Sequence, residues 1–229
     1  MSKDKNKKYY IFEMDMGKLN IVSLVLMIVM IIITLPLYPK NLLIEFSSIN
    51  ILVFFSVYII WMFLHEILHS IAYIIYGGDF KKIVYGGYLE KGVLYCLCKQ
   101  NITRKNILNS LMFPLFYIGI VTYIIAIIFE IPLLLFVSIA NISGAAGDII
   151  MFMYISRLSK NIEFTEFDNP IQFAIYSDED VTKIPHFGLN YIETTKSLKR
   201  EDMKKIKISK ATIIFFIIII LILIFGTIF

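Results

Sequence analysis

Five apolar runs, separated by polar and lysine-rich stretches, organise the chain: residues 19–37, 49–76, 106–129, 133–155 and 211–229. A hydrocarbon core about 30 Å thick takes roughly 20 helical residues to cross, so each run is a candidate transmembrane helix. The first follows a basic head, Lys3 to Lys8, and ends in Thr34-Leu35-Pro36-Leu37-Tyr38-Pro39. That ending offers no small-x-small cleavage site, so the run is expected as a retained helix and not as a signal peptide. The second run stops at Gly77-Gly78, and Glu130-Ile131-Pro132 makes a tight turn between the third and fourth.

Between the second and third runs the texture changes. Lys82-Ile83-Val84-Tyr85 and Val93-Leu94-Tyr95-Cys96-Leu97 are β-branched and aromatic, and Gly86-Gly87 and Lys91-Gly92 punctuate them. This predicts one or two β-hairpins. Residues 156–210 are polar and charged, and their acids, Glu163, Glu166, Asp168, Asp178, Glu179 and Asp180, are expected on a solvated cytosolic surface. The fold class predicted is therefore an all-α membrane protein of about five transmembrane helices, with a short hairpin-rich cytosolic loop after the second.

Composition agrees with lipid as the solvent. The 229 residues are 58% hydrophobic and 15% aromatic, against roughly 45 to 50% apolar in ordinary soluble domains, and mean hydropathy is +0.76. The net charge of +4 comes from lysines and arginines clustered between the apolar runs. No basic run is interleaved with stacking aromatics on a soluble domain, so nucleic acid is not an expected partner; the bilayer is. Lysine-rich loops stay inside, which places the N terminus, residues 79–105 and residues 157–210 in the cytoplasm of a multi-pass cell-membrane protein. Cys96 and Cys98, with one residue between them, are too close in a strand for an unstrained disulfide and are expected as reduced thiols. No second cysteine pair is present to complete a thiolate metal site.

The chemistry sits in the second run, at His65-Glu66-Ile67-Leu68-His69. On a helix, residues i and i+4 share a face, so both imidazoles can converge on one metal ion while Glu66 reaches a metal-bound water as general base. Ionisable groups inside a membrane helix are costly, and three in five residues mark a functional site rather than helix packing. Zinc held by three protein ligands with one open position lowers the pKa of bound water to about 7.

A third ligand has to come from elsewhere. The metzincin extension fails, because Ala72 and Ile75 occupy its glycine and third-histidine positions, and no Glu-x-x-x-Asp follows. Asp148 is the ionisable side chain of the fourth run, after Asn141-Ile142-Ser143-Gly144-Ala145-Ala146-Gly147. Counting from the cytoplasmic ends of their helices, His69 and Asp148 both lie roughly 12 to 14 Å deep at 1.5 Å per residue. Asn141, Gly144, Ala145 and Asp148 share a face whose small residues permit close helix approach. The same face also reads as a small-residue helix contact in which Asp148 bonds a neighbour.

A membrane helix with His-Glu-x-x-His, a glycine pair and strand-rich loop after it, and a later helix with Asn-x-x-Gly-x-x-Gly-Asp resembles the bacterial putative zincin peptidase family, which is similar to site-2 proteases. The resemblance covers about residues 50–155. It implies zinc on His65, His69 and Asp148 with Glu66 as catalytic base. Site-2 proteases usually carry Asp-Gly where this chain has Gly147-Asp148. Residues 1–155 then form a membrane-embedded zinc metalloprotease domain, 156–210 a cytosolic segment and 211–229 a C-terminal transmembrane helix.

The function expected is an intramembrane zinc endopeptidase acting on a membrane protein or membrane-anchored peptide in or next to its transmembrane segment, with Asn141 available to bond the substrate backbone. The alternative is a non-catalytic membrane protein, a metal-binding carrier or immunity-type partner that retains the fold. Repeated halves expected of many transporters are absent, and an intact Glu66 is superfluous in a site that only binds zinc. His186, beside Pro185, is expected as an ordinary loop residue.

Overall fold

The computed structural model describes residues 8–37, 48–88, 93–166 and 171–192. The fifth apolar run and most of the lysine-rich tail lie outside the described residues. Helix α1 spans Met16–Leu37 and starts where Asp15 Oδ1 accepts the N–H groups of Gly17 (3.1 Å) and Lys18 (3.2 Å), an N-cap that satisfies two of the helix's first donors. Its Ile, Leu and Val side chains are exposed on nearly every side, and Thr34 alone among its residues is buried. Such an apolar surface needs lipid or another apolar partner.

Helix α2 spans Ser48–Ile75. It stops because Gly77 takes a positive φ of 92°, where only glycine is unstrained, and Gly78 N–H closes back on Tyr73 O at 2.6 Å. Helix α3 (Arg104–Pro114) runs through a π-helical segment, Leu115–Val121, into α4 (Thr122–Ile128), and the three together make one candidate span. Among the described residues, three helices are thus long and apolar enough to cross a membrane. The fourth apolar run, expected as one helix, is two: α5 (Pro132–Gly144) and α6 (Ala146–Ile155), bent by 43° at Ala145.

The expectation of an all-α protein is overturned. Strand β1 (Lys8–Met14) follows the basic head, β2 (Ile83–Tyr88) and β3 (Val93–Cys98) form the expected hairpin, and β4 (Ile102–Thr103) precedes α3. After α6 come β5 (Glu163–Glu166), β6 (Gln172–Ser177) and β7 (Leu189–Ile192). Five of the seven build one antiparallel sheet in the order β4-β5-β6-β1-β7, with β2 and β3 a separate pair. The physical reason the reading missed it is distance along the chain: Tyr10 pairs with Ile175 and Phe12 with Phe173, so no local hairpin signal marks β1.

Sheet and helices share one core. Phe12, Phe164 and Phe173 from the sheet pack with Ile107 and Leu111 of α3 and with Ile150, Tyr154 and Ile155 of α6. The start of α1, the start of α3 and the end of α6 therefore gather at the sheet, and α2 ends beside β3. Within the helical layer, Thr34 and Tyr123 hydroxyls bond at 2.9 Å, Thr122 and Ser138 at 2.7 Å. These contacts hold α1, α4 and α5 together without any charged group.

Candidate metal centre

Helical spacing stacks His65, His69 and Tyr73 on one face of α2, with ring centroids 4.9 Å apart for the first pair and 6.5 Å for the second. The bend at Ala145 puts Asp148 in the first turn of α6, where the helix's free N–H groups favour an anion. Across the gap, His65 Nε2 lies 3.1 Å from Asp148 Oδ2, His69 Nε2 lies 3.4 Å from Asp148 Oδ1, and the two Nε2 atoms are 3.2 Å apart. The structure brings these three sequence-predicted residues together, and among the described residues no other group of three possible ligands does so.

Tautomers settle what such a cluster can hold. His69 Nδ1–H donates to the backbone carbonyl of Ser110 at 3.0 Å, which leaves Nε2 unprotonated in the neutral ring. His65 Nδ1–H donates to Asn141 Oδ1 at 3.0 Å, with the same consequence. Two nitrogen lone pairs and a carboxylate then face one another, an arrangement that only a proton or a cation makes stable. Zinc bonds of about 2.0 to 2.1 Å in tetrahedral geometry set neighbouring donors about 3.3 Å apart, the spacing observed. The donor set and its outer bonds fit zinc.

Glu66 is partly buried one residue round the helix, and its carboxylate faces the N–H of Cys96 on β3. It lines, with the three ligand candidates, a cavity of about 340 Å³. Leu19, Asn20 and Ser23 of α1 form one wall, Tyr58, Trp61 and Met62 of α2 another, and Leu94 to Leu97 of β3 a third. Asn141 is buried at 7% exposure, and its Nδ2 has no hydrogen-bond partner among the described residues. An orphaned buried donor costs on the order of 1 to 3 kcal/mol, so it is kept for something that accepts there. Gly119 of the π-helical segment leaves that amide room: a side chain at 119 would come within 3.3 Å of Nδ2 and 3.0 Å of Ile142 Cγ1. Trp61 Nε1–H donates to Ile118 O at 3.2 Å and fixes α2 against the same segment.

His186 takes no part. Its ring lies 5.9 Å from that of Phe12 and 6.3 Å from that of Tyr154, and Nδ1 bonds Ile184 O. Cys96 and Cys98 are buried free thiols; burial pushes both up, Cys98 to about 11, so they stay protonated. Glu166 departs from the solvated surface expected of it. It lines the cavity, accepts Tyr73 O–H and Cys98 N–H, and is pushed up to about 7 by burial. A helical count shows that Tyr73 follows His69 by four residues; nothing local in the sequence places Ser110 O or Glu166.

Comparison with known proteins adds a family. Residues 58–162 match the family described as Putative zincin peptidase. Over that stretch, which holds the two histidines, Glu66, Asn141 and Asp148, the chain is similar to zinc-dependent peptidases. No curated protein and no solved structure matches the chain.

Proposed function

We propose that the chain is an intramembrane zinc endopeptidase that hydrolyses peptide bonds in or next to transmembrane segments of membrane proteins, in the manner of site-2 proteases. The observation that carries this reading is the convergence of two Nε2 lone pairs and the Asp148 carboxylate, with both Nδ1 positions already committed. His65, His69 and Asp148 would hold zinc. When bound, zinc polarises the scissile carbonyl and acidifies the attacking water.

The chain's own groups do the rest. Glu66 takes the proton of the attacking water and passes it to the leaving amine, and the Cys96 N–H faces its carboxylate. Asn141 holds His65 through Oδ1 and offers Nδ2 to a substrate carbonyl. A carrier or immunity-type partner would need neither of these.

A helix hides its carbonyls in its own hydrogen bonds, so the substrate must be extended before it reacts. Strand β3 supports this: it borders the cavity, and Leu94 and Cys96 turn their N–H and C=O groups away from β2, where an added strand can pair. Substrates matched except for Gly or Pro near the cut should differ about tenfold or more in rate, the helix-broken ones being faster. Preference for soluble peptides with no membrane segment, at rates equal to tethered ones, would reject the intramembrane reading.

Orientation gives a second expected outcome. With β1, β4 and β5 to β7 in one sheet, the segments that carry these strands share a side, and the lysine distribution supports the cytoplasm as that side. Cysteine labels at Lys91 should react only from the cytoplasm and at Phe46 only from outside; both positions lie outside the described residues. An external signal at Lys91 would move the active site to the other leaflet.

A further inference from the structure

Strand β5 belongs to the sheet outside the membrane, yet its last residue reaches the cavity that holds the histidines. Alternation puts Glu166 on the same face of β5 as Phe164, which is fully buried. A carboxylate therefore stands where the strand pattern calls for an apolar side chain. Burying it costs stability, and an apolar residue would close the cavity as well.

The bonds that Glu166 makes define what it does there. Lys99 N–H donates to Lys82 O at 2.9 Å, and with the register Val84↔Leu97 and Tyr85↔Cys96 this fixes which residues of β3 face β2. Tyr95, Leu97 and Lys99 turn their N–H and C=O groups towards β2; Leu94, Cys96 and Cys98 turn theirs away, towards the cavity and β5. The outward N–H groups of Cys96 and Cys98 both meet carboxylates: Cys96 N–H faces that of Glu66, and Cys98 N–H donates to Glu166 Oε2 at 2.7 Å. Both oxygens of Glu166 also receive Tyr73 O–H, each at 3.1 Å, and the Tyr73 ring lies at 27° over that of His69.

We propose that Glu166 is a positioning residue of the peptidase, a brace by which the sheet outside the membrane sets β3 against Glu66 and Tyr73 against His69. It touches neither substrate nor metal. Through Cys98 it fixes the strand whose Cys96 N–H faces the base, and through Tyr73 it fixes the ring beside a candidate metal ligand. It also ends the available edge of β3, because the outward groups beyond Cys96 are taken by Glu166 and by Gln100 N–H on Cys98 O at 2.8 Å. A substrate strand is thereby confined to Leu94 and Cys96, which sets its register against Glu66.

This inference rests on the peptidase reading, and its test separates the two. The full chain is purified in detergent and loaded with zinc, as parent, Glu166→Ala, Glu166→Gln and Tyr73→Phe. Measured are zinc per chain, kcat and KM on a tethered substrate, and backbone amide exchange over residues 93–98. In Glu166→Ala, zinc should stay at one per chain, kcat should fall about 10- to 100-fold as misplacement of a reacting group does, KM should change less than about threefold, and Cys96 and Cys98 should exchange faster. Glu166→Gln should recover most of kcat, since one amide oxygen can still accept both donors. Tyr73→Phe should fall between the parent and Glu166→Ala.

Parental kcat and exchange in Glu166→Ala would overturn the brace. Loss of zinc would place Glu166 in the metal site instead, and a rise in KM alone would make it a substrate contact. Should Glu166→Ala not fold, Glu166→Gln and Tyr73→Phe carry the same comparison. If the parent hydrolyses nothing, the peptidase reading fails, while the exchange of residues 93–98 still decides whether the brace exists.

Discussion

Glu66→Gln should bind about one zinc per chain and yet hydrolyse peptide bonds at least 10²-fold more slowly than the parent, since general-base catalysis contributes typically 10² to 10⁴. The two halves of the result have separate causes. Zinc is expected on His65, His69 and Asp148, whose donor atoms stand 3.1 to 3.4 Å apart without any help from Glu66. Hydrolysis depends on a group that can take a proton from water, which an amide cannot do. Glutamine keeps the volume and still presents an oxygen to the Cys96 N–H, so β3 stays in place. Metal content is read by elemental analysis and cleavage by appearance of a new N terminus on a co-purified membrane substrate. A Glu66→Gln protein that cuts at the parental rate would remove the base from the mechanism.

Replacing a donor should do the reverse, removing the metal first and activity with it. His69→Ala and Asp148→Ala should each lose zinc on dialysis against a weak chelator that the parent withstands, because two remaining donors leave half of a tetrahedral shell to solvent. Asn141→Ala should act one step out. It removes the acceptor of His65 Nδ1–H, freeing the ring to turn, and should weaken zinc about 10- to 100-fold, as outer-shell substitutions do. His186→Ala and Glu163→Ala should match the parent: the one ring packs on Phe12 and Tyr154, and Glu163 accepts Asn101 Nδ2 at 2.8 Å away from the histidines. Full zinc in a His65→Ala, His69→Ala double variant would sink the assignment. Loss of zinc with His186→Ala alone would mean that the third ligand is misplaced.

The metal cluster was legible because it is written in helical spacing. His65 and His69 are four apart, and the depth count that set Asp148 level with His69 needed only the ends of two apolar runs. Asn141 shared the Asp148 face for the same reason, although its bond to His65 Nδ1 needed coordinates. The hairpin of β2 and β3 was legible because both strands lie within 16 residues. The five-stranded sheet was not. Its strand β1, Lys-Tyr-Tyr-Ile-Phe-Glu-Met, has a strand-like composition, but a basic head before an apolar run suggests an anchor, and its partners lie far along the chain. Glu166 went unread for a related reason, since an acid in a polar segment looks solvated until the strand carrying it is known to face a core. The bend at Ala145 was also hidden, because small residues such as Gly144 and Ala145 suit a continuous packed helix as well as a broken one.

Strand β1 leaves the ribosome long before its sheet neighbours β6 and β7. Gln172 reaches back to Glu13 across 159 positions, and β7, which pairs with β1 on its other side, ends at Ile192. At synthesis rates of about 5 to 20 residues per second, the head waits on the order of ten seconds or more before either partner exists. All the helices that carry His65, His69 and Asp148 can enter the bilayer during that wait. The carboxylate of Glu166 arrives with the closing strands, so the sheet can close only after the helices that carry His65, His69 and Asp148 have been made.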